Sequence, residues 1–212
     1  MLTSFGCNIK GRGLVGEFVR LRFSEQLDLI ADDLDPEFWT PESILVGRSY
    51  GGYLLLHALA ELTKVIPAIK LVLVGTGVDF DKTRALAHRL GLDEQVMFLG
   101  FRRDVPEILP IADVGVSTSR HEGLGLGVAE QMMCGVPVVA SLDKGHAELV
   151  DHESNGYLYR QGDRDDFCGR ILALQRHFEL RQELGSRACR SMEKFHLDMS
   201  LEAMSRIYEN YL

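Results

Sequence analysis

Short apolar blocks recur along the chain from residue 44, and most are followed by a longer stretch with apolar residues at helical spacing. The blocks are rich in valine, leucine and isoleucine and lie at 44–47, 71–75, 96–99, 114–117 and 138–140. Such blocks are typical of strands buried on both faces of a sheet. Strands that alternate with helices predict parallel pairing through right-handed crossovers. We therefore predict an α/β fold with a doubly wound parallel sheet.

The helical stretches are predicted from apolar spacing and from the residues that end them. They lie at 18–34, 53–63, 83–90, 105–111, 128–134, 165–178 and 199–211. The last repeats Met199, Ala203, Ile207 and Tyr211 at four-residue spacing, which predicts an amphipathic helix packed on the sheet. A further short strand is predicted at 157–159. His146 is predicted to lie in a loop.

Three glycines, Gly123, Gly125 and Gly127, precede the helix predicted at 128–134. Unpaired amides at a helix start, approached through glycine, favour an anion such as phosphate. Glu122 and Glu130 flank this start, and a carboxylate inside the helix would accept hydrogen bonds from hydroxyl groups. The combination indicates a nucleotide sugar. A glycine-rich turn with two solvated glutamates is the alternative.

More of the chain carries an ordered set of motifs. They are Leu71–Gly77, Val96–Gly100, Asp104–Pro106, Ala112–Val114, Glu122–Gly123, Glu130, Met133–Ser141 and Glu148–Val150. This set resembles the donor-site signature of family 4 glycosyltransferases of the two-Rossmann-domain type. The resemblance runs from about Ile69 to the C-terminus and implies the Rossmann-like half that holds the donor.

The resemblance also implies roles for individual residues in retaining glycosyl transfer. Glu122 would be the catalytic residue beside the donor sugar. The donor-binding residues would be Arg48, Gly75, Gly77, Arg102, Gly123, Gly125, Leu126, Gly127 and Glu130. Within this set Glu130 would hold the ribose, and Arg48 would offset diphosphate charge. Arg102 and Phe101 follow a predicted strand, where ligands of parallel sheets bind, and would flank the nucleobase there; a solvated loop arginine is the alternative. A nucleoside-diphosphate sugar is the implied substrate, with no cofactor and no metal, and the acceptor is unknown.

The segment 44–59 allows a second interpretation. Gly47 to Gly52 place Ser49 in a turn between a strand and a helix, which resembles the nucleophile elbow of α/β-hydrolases. Ser49 is therefore the alternative nucleophile, with Asp79 and His88, or Asp113 and His146, as conceivable partners. The rival account makes this segment the first strand and helix of the transferase nucleotide domain, although the lysine that the family usually has there is absent. A non-catalytic nucleotide-binding module is a third possibility.

We predict an N-terminal segment at 1–68 and a donor-binding domain at 69–212, packed as one unit. The family's acceptor domain has no counterpart in this sequence. We therefore expect a truncated, rearranged or joined chain with its seam between about 60 and 70, and no sugar transfer by the isolated chain.

Charge and composition limit the classes of function that this sequence is expected to have. The 212-residue chain has 23 basic and 31 acidic side chains and a net charge of -8, which argues against broad binding to nucleic acid. It has no run of ~18 apolar residues and no signal-peptide pattern. Four scattered cysteines without metal-ligand spacing suit a reducing compartment. We expect a cytoplasmic protein without a transmembrane segment.

Overall fold

The computed structural model describes residues 43–47, 52–195 and 197–209. Arg48, Ser49 and the helix predicted at 18–34 lie outside the described residues. The described strands are β1 (Ser43–Gly47), β2 (Ile69–Val74), β3 (Val96–Gly100), β4 (Val114–Ser117), β5 (Val138–Ser141) and β6 (Tyr157–Tyr159). All neighbouring strands pair in parallel, in the order β3-β2-β1-β4-β5-β6. The predicted doubly wound sheet is confirmed.

Helices follow the strands in sequence. They are α1 (Gly52–Leu62), α2 (Phe80–Arg89), α3 (Val105–Ile108), α4 (Leu126–Met133), α5 (Lys144–Leu149), α6 (Arg164–Arg176), α7 (Phe178–Ser191) and α8 (Leu197–Glu209). Short 3-10 helices lie at Leu109–Ile111 and Met192–Phe195. Helices α1, α2 and α6 share one buried cluster with Leu45 and Leu71 of the sheet. Helices α3, α4 and α7 contribute to clusters with Val46 and Ala140, which point to the opposite face.

The strand order reverses between β1 and β4, where Leu45 pairs with Val114. From β1 the chain builds outward to β3, and from β4 it builds outward to β6 on the other side. Ligands of open parallel sheets bind in the crevice beyond the carboxyl ends of strands at such a reversal. The loop after β4 therefore borders the expected binding edge.

Strand β1 occupies an interior position in the sheet. It pairs with β2 along its whole length and with β4 through Leu45–Gly47. Leu55, Leu56 and Leu59 of α1 are fully or almost fully buried in the cluster that α6 also enters. Residues 43–47 and 52–62 therefore share the sheet and core of the later residues. The boundary at 68/69 stays a prediction.

Three sequence-based expectations need correction. His146 does not lie in a loop but in α5. The structure adds α7, which the sequence reading missed because its buried side includes the small residues Gly185, Ala188 and Cys189 rather than a wide apolar stripe. Helix α8 forms, yet all of its residues are exposed, so the prediction that it packs on the sheet is wrong. The apolar period predicts a helix with an apolar face but not what covers that face.

Candidate functional site

The loop after β4 leads directly into α4 at the binding edge. Thr118 and Ser119 are buried, and His121 is exposed. Gly125 precedes the first residue of α4 with a φ of 81°, in the left-handed region that favours glycine. Its backbone oxygen accepts from the amides of Val128 and Ala129. The first amides of the helix point out of its N-terminus, where the helix dipole favours an anion.

The two glutamates predicted for the donor lie on either side of this helix start. Glu122 is half-buried in the loop and lines a cavity of about 20 Å³ that Gly125, Gly127 and His146 also line. Glu130 is the fifth residue of α4, and its Oε2 is buried. Leu126 is 57% exposed at the first position of the helix. The structure thus brings Glu122, the three glycines and Leu126 together at the N-terminus of α4, with Glu130 one turn further along.

Residues 141–146, which we call the β5–α5 turn, pack against this loop. A Cβ on Gly145 would lie 2.5 Å from the backbone oxygen of Glu122. The hydroxyl of Ser141 donates to the backbone oxygen of Ser119. Gln161, after β6, donates from Nε2 to the backbone oxygen of Arg120 at 2.7 Å. Close contacts with neighbouring segments therefore shape the loop.

The fully buried His146 connects this turn to β4. Its Nε2 lies 3.2 Å from Ser117 Oγ, and its Nδ1 lies 2.9 Å from the backbone oxygen of Ser141. The ring also restricts position 125, because a Cβ there would lie 2.8 Å from its Cδ2. The sequence analysis did not assign His146 to the donor site. The usable signal was Asp143, three residues earlier, which is typical of a helix N-cap and would have placed His146 in a first helical turn.

Asp143 has the role of that N-cap. Its Oδ1 accepts from the backbone amide of His146 at 2.8 Å and lies 3.6 Å from His146 Nδ1. Its side chain is 6% exposed. The carboxylate therefore fixes the first turn of α5, and with it the direction of the His146 ring.

The loops after β2 and β3 meet on the other side of the reversal. The amide of Gly75 donates to the backbone oxygen of Gly100 at 2.7 Å, and both glycines have positive φ values, 126° and 63°. Gly77 follows in an exposed turn. Phe101 is 70% exposed beside this junction. Gly75 and Gly77 thus lie on the binding edge, as the strand ends predicted.

Arg102 is engaged with a neighbour. Its Nε and Nη2 donate to the two carboxylate oxygens of Asp104 at 2.9 and 2.7 Å. The hydrogen bond from the guanidinium lowers the pKa of Asp104, against a smaller opposing effect of burial. This pairing orients the guanidinium.

The conceivable hydrolase pairs do not form among the described residues. His88 contacts Asp93 at 2.9 Å, and Asp79 accepts from Lys82 at 2.8 Å. Asp113 pairs with Arg181 at 3.3 Å. Neither proposed acid therefore reaches its proposed histidine.

A larger cleft of about 470 Å³ lies at the other end of the sheet. It is formed by the end of α5, the segment leading into β6, and the end of α7. Its charged lining residues are Glu148, Asp151, Arg187, Arg190 and Lys194. We place the candidate site at the carboxyl edge despite its smaller cavity, because the helix start, the glycines and the strand reversal coincide there.

Comparison with known proteins identifies the family. The model of glycosyl transferases group 1 matches residues 47–190, which include Arg48, Ser49 and most of the sheet. The chain is a member of the glycosyl transferases group 1 family. Arg48 and Ser49 thus fall inside the matched glycosyltransferase region, which favours the transferase interpretation of segment 44–59 over the hydrolase one.

Individual relatives agree with this assignment. EpsD of Bacillus subtilis is 35% identical over 158 residues, and the N-acetyl-alpha-D-glucosaminyl L-malate synthase of Bacillus anthracis is 31% identical over 159. Each match covers 74% of this chain and 42% of the relative. The chain therefore spans about two fifths of the length of these relatives.

Solved structures show the same fold. Anabaena HepE in complex with UDP superposes with a TM-score of 0.78 at 26% identity, over 91% of this chain and 55% of HepE. The C-terminal domain of the group 1 protein LpcC from Francisella tularensis has a TM-score of 0.64 at 24% identity, over 73% of this chain and 86% of that domain. The described residues form a Rossmann-like domain of the glycosyltransferase kind. None of the described helices combines the length and apolarity needed to span a membrane.

Proposed function

We propose that this chain is the donor-binding half of a retaining glycosyltransferase of family 4 and that it binds a nucleoside-diphosphate sugar at the N-terminus of α4. One observation carries the proposal. The left-handed Gly125 opens α4 beside the strand reversal, with Glu122 before the helix and Glu130 one turn inside it. The UDP complex of HepE supports a uridine nucleotide as the first probe.

Each part of the proposed donor site has its own task. Amides at the start of α4 hold the diphosphate, because a helix N-terminus favours anions. Glu130 accepts hydrogen bonds from the ribose hydroxyls, and Glu122 lies beside the donor sugar. Arg48 offsets diphosphate charge from the end of β1, and Arg102 with Phe101 flanks the base. The absence of a metal or cofactor requirement stays a prediction, as does a cytoplasmic location.

Calorimetry with UDP tests the donor site. Glu130→Ala removes a charged acceptor for the ribose, so we expect its binding free energy to weaken by about 1–3 kcal/mol. Glu179→Ala, an exposed glutamate in the first turn of α7, is the control and should bind like the parent.

Two results would count against the proposal. A folded parent chain that binds no uridine, guanosine or adenosine diphosphate would refute donor binding. Equal affinity in Glu130→Ala and the parent would refute the ribose role. Sugar transfer by the isolated chain is not expected, and this stays a prediction from sequence.

A further inference from the structure

A buried histidine supports the glycine-rich loop without taking part in the proposed donor contacts. His146 is 0% exposed and lines the small cavity beneath Gly125 and Gly127. The Cδ2 edge of its ring is so close to Gly125 that only glycine fits there without displacement. The imidazole thus forms part of the surface on which the loop lies.

The partners of the ring assign its donors and acceptors. Nδ1 faces the backbone oxygen of Ser141 at 2.9 Å, and a carbonyl oxygen can only accept. A neutral ring therefore carries its proton on Nδ1, and Nε2 accepts from the Ser117 hydroxyl at 3.2 Å. The Ser141 hydroxyl oxygen also lies 3.3 Å from Nδ1, and the hydroxyl donates to the backbone oxygen of Ser119. Hydrogen bonds thus link Ser117 of β4 to the His146 ring, the ring to Ser141 of β5, and Ser141 to Ser119 of the loop.

This order connects both ends of the loop to the β5–α5 turn. Ser117 is the last residue of β4, and Gly125 is the N-cap of α4. Between them, the backbone oxygens of Ser119 and Glu122 contact the same turn. A loop held at several points loses little entropy when it binds a ligand, so its amides are oriented in advance.

We propose that His146, as the neutral Nδ1–H tautomer, is a positioning residue that holds the glycine-rich loop in the shape that presents the α4 amides to a diphosphate. The diphosphate in this statement rests on the proposed function. The tautomer and the order of the loop do not, so they are tested without ligand.

The same atoms do not form a hydrolytic triad. Ser117 and His146 are buried, and the cavity beside them, at about 20 Å³, has room for about one water and for no acyl substrate. Asp143 Oδ1 is 3.6 Å from Nδ1, beyond hydrogen-bond distance, and is occupied by the His146 amide. The arrangement is suited to support rather than to nucleophilic attack.

Side-chain nitrogen NMR of the full chain tests the tautomer. We expect the His146 signals of a neutral ring protonated at Nδ1, with Nε2 shifting when Ser117→Ala removes its donor. Backbone amide shifts in Ser117→Ala should change mainly at 117–127 and 141–146. A ring protonated at Nε2, a doubly protonated ring, or shift changes that spare the loop would overturn the proposal.

Ligand affinity tests the positioning role. In Ser117→Ala and His146→Asn we expect the UDP dissociation constant to rise about tenfold, the equivalent of one lost buried hydrogen bond. Uridine, which lacks the diphosphate, should bind within about twofold of the parent, because its contacts do not depend on the α4 amides. A purely structural role would weaken both ligands or neither, and either result would overturn the proposal. His88→Asn, on the exposed side of α2, is the matched control.

Failure of the proposed function can be distinguished from failure of the positioning role. A parent chain that binds no UDP refutes the proposed function, while the NMR experiment still decides whether His146 orders the loop. UDP binding by the parent with unchanged affinity in both variants refutes the positioning role alone. Ser117→Ala removes a single hydroxyl group, so it keeps the test valid where His146→Asn fails to fold.

Discussion

The two sides of the strand reversal hold their loops in different ways. After β4, the glycine-rich loop lies against the β5–α5 turn, and side chains or backbone of that turn occupy the space next to Gly125 and Glu122. After β2 and β3, the loops contact each other through a backbone hydrogen bond from Gly75 to Gly100. A Cβ on Gly100 would meet its nearest neighbour at 3.9 Å. Among the described residues, the loop after β4 is therefore closely packed by its neighbours, whereas Gly100 after β3 has space for a side chain.

This difference matches the proposed tasks. A loop that orients amides for a diphosphate gains from fixed geometry, because preset donors avoid an ordering penalty on binding. Loops that flank a base need only an exposed apolar surface such as Phe101, which is 70% exposed. We therefore predict that substitutions in the loop after β4 reduce both stability and nucleotide affinity, whereas an equivalent glycine substitution after β3 reduces stability less.

We expect the largest loss of stability at Gly125, compared with Gly100, which also has a positive φ. Gly125→Ala combines left-handed strain with a 2.8 Å contact to the His146 ring, so we expect a loss of about 3 kcal/mol in unfolding free energy. Gly100→Ala has the strain without the contact and should lose about 1–2 kcal/mol. Urea unfolding of both variants measures the difference. Equal losses would mean that the His146 contact places no restriction on the loop.

The sequence predicted the sheet because its signals are local and strong. Apolar blocks such as 71–75 and 138–140 identify strands without knowledge of their neighbours. The glycine triplet with Glu122 and Glu130 likewise indicated an anion site. What supports that site could not be predicted, because Ser117 lies 29 residues before His146 and their side chains, like that of Ser141, are ordinary polar ones. Only the register of β4 beside β5 brings them together.

The next effect tests the β5–α5 turn directly. Gly145→Ala places a Cβ 2.5 Å from the backbone oxygen of Glu122, so the loop must shift. We expect a net loss of about 1–2 kcal/mol, since overpacking outweighs the gain in helix propensity. UDP affinity, measured by calorimetry, should also fall.

The control for this change is Gly169→Ala in α6. A Cβ there meets nothing within 4 Å, so the variant should be stabilised by up to about 1 kcal/mol. Its UDP affinity should equal that of the parent. Loss of stability in Gly145→Ala with parental affinity would show that the turn supports the fold but not the site.

The smallest effect concerns the ion pair after β3. Arg102 lowers the pKa of Asp104 through its hydrogen bonds, so the pair stabilises the fold at pH values above the ordinary aspartate pKa of about 3.9. That contribution is lost as the pH falls through the lower pKa of the folded state. Because the Asp104 side chain is 40% exposed, screening limits the coupling to about 0.2–1 kcal/mol.

A double-mutant cycle of Arg102→Gln and Asp104→Asn, followed by urea unfolding from neutral to acidic pH, measures this coupling energy. We expect a small coupling at pH 7 that disappears in acid, with UDP affinity in Asp104→Asn close to parental. A coupling that grows on acidification would contradict the lowered pKa, and a large loss of UDP affinity would show that this side of the edge also needs a fixed loop.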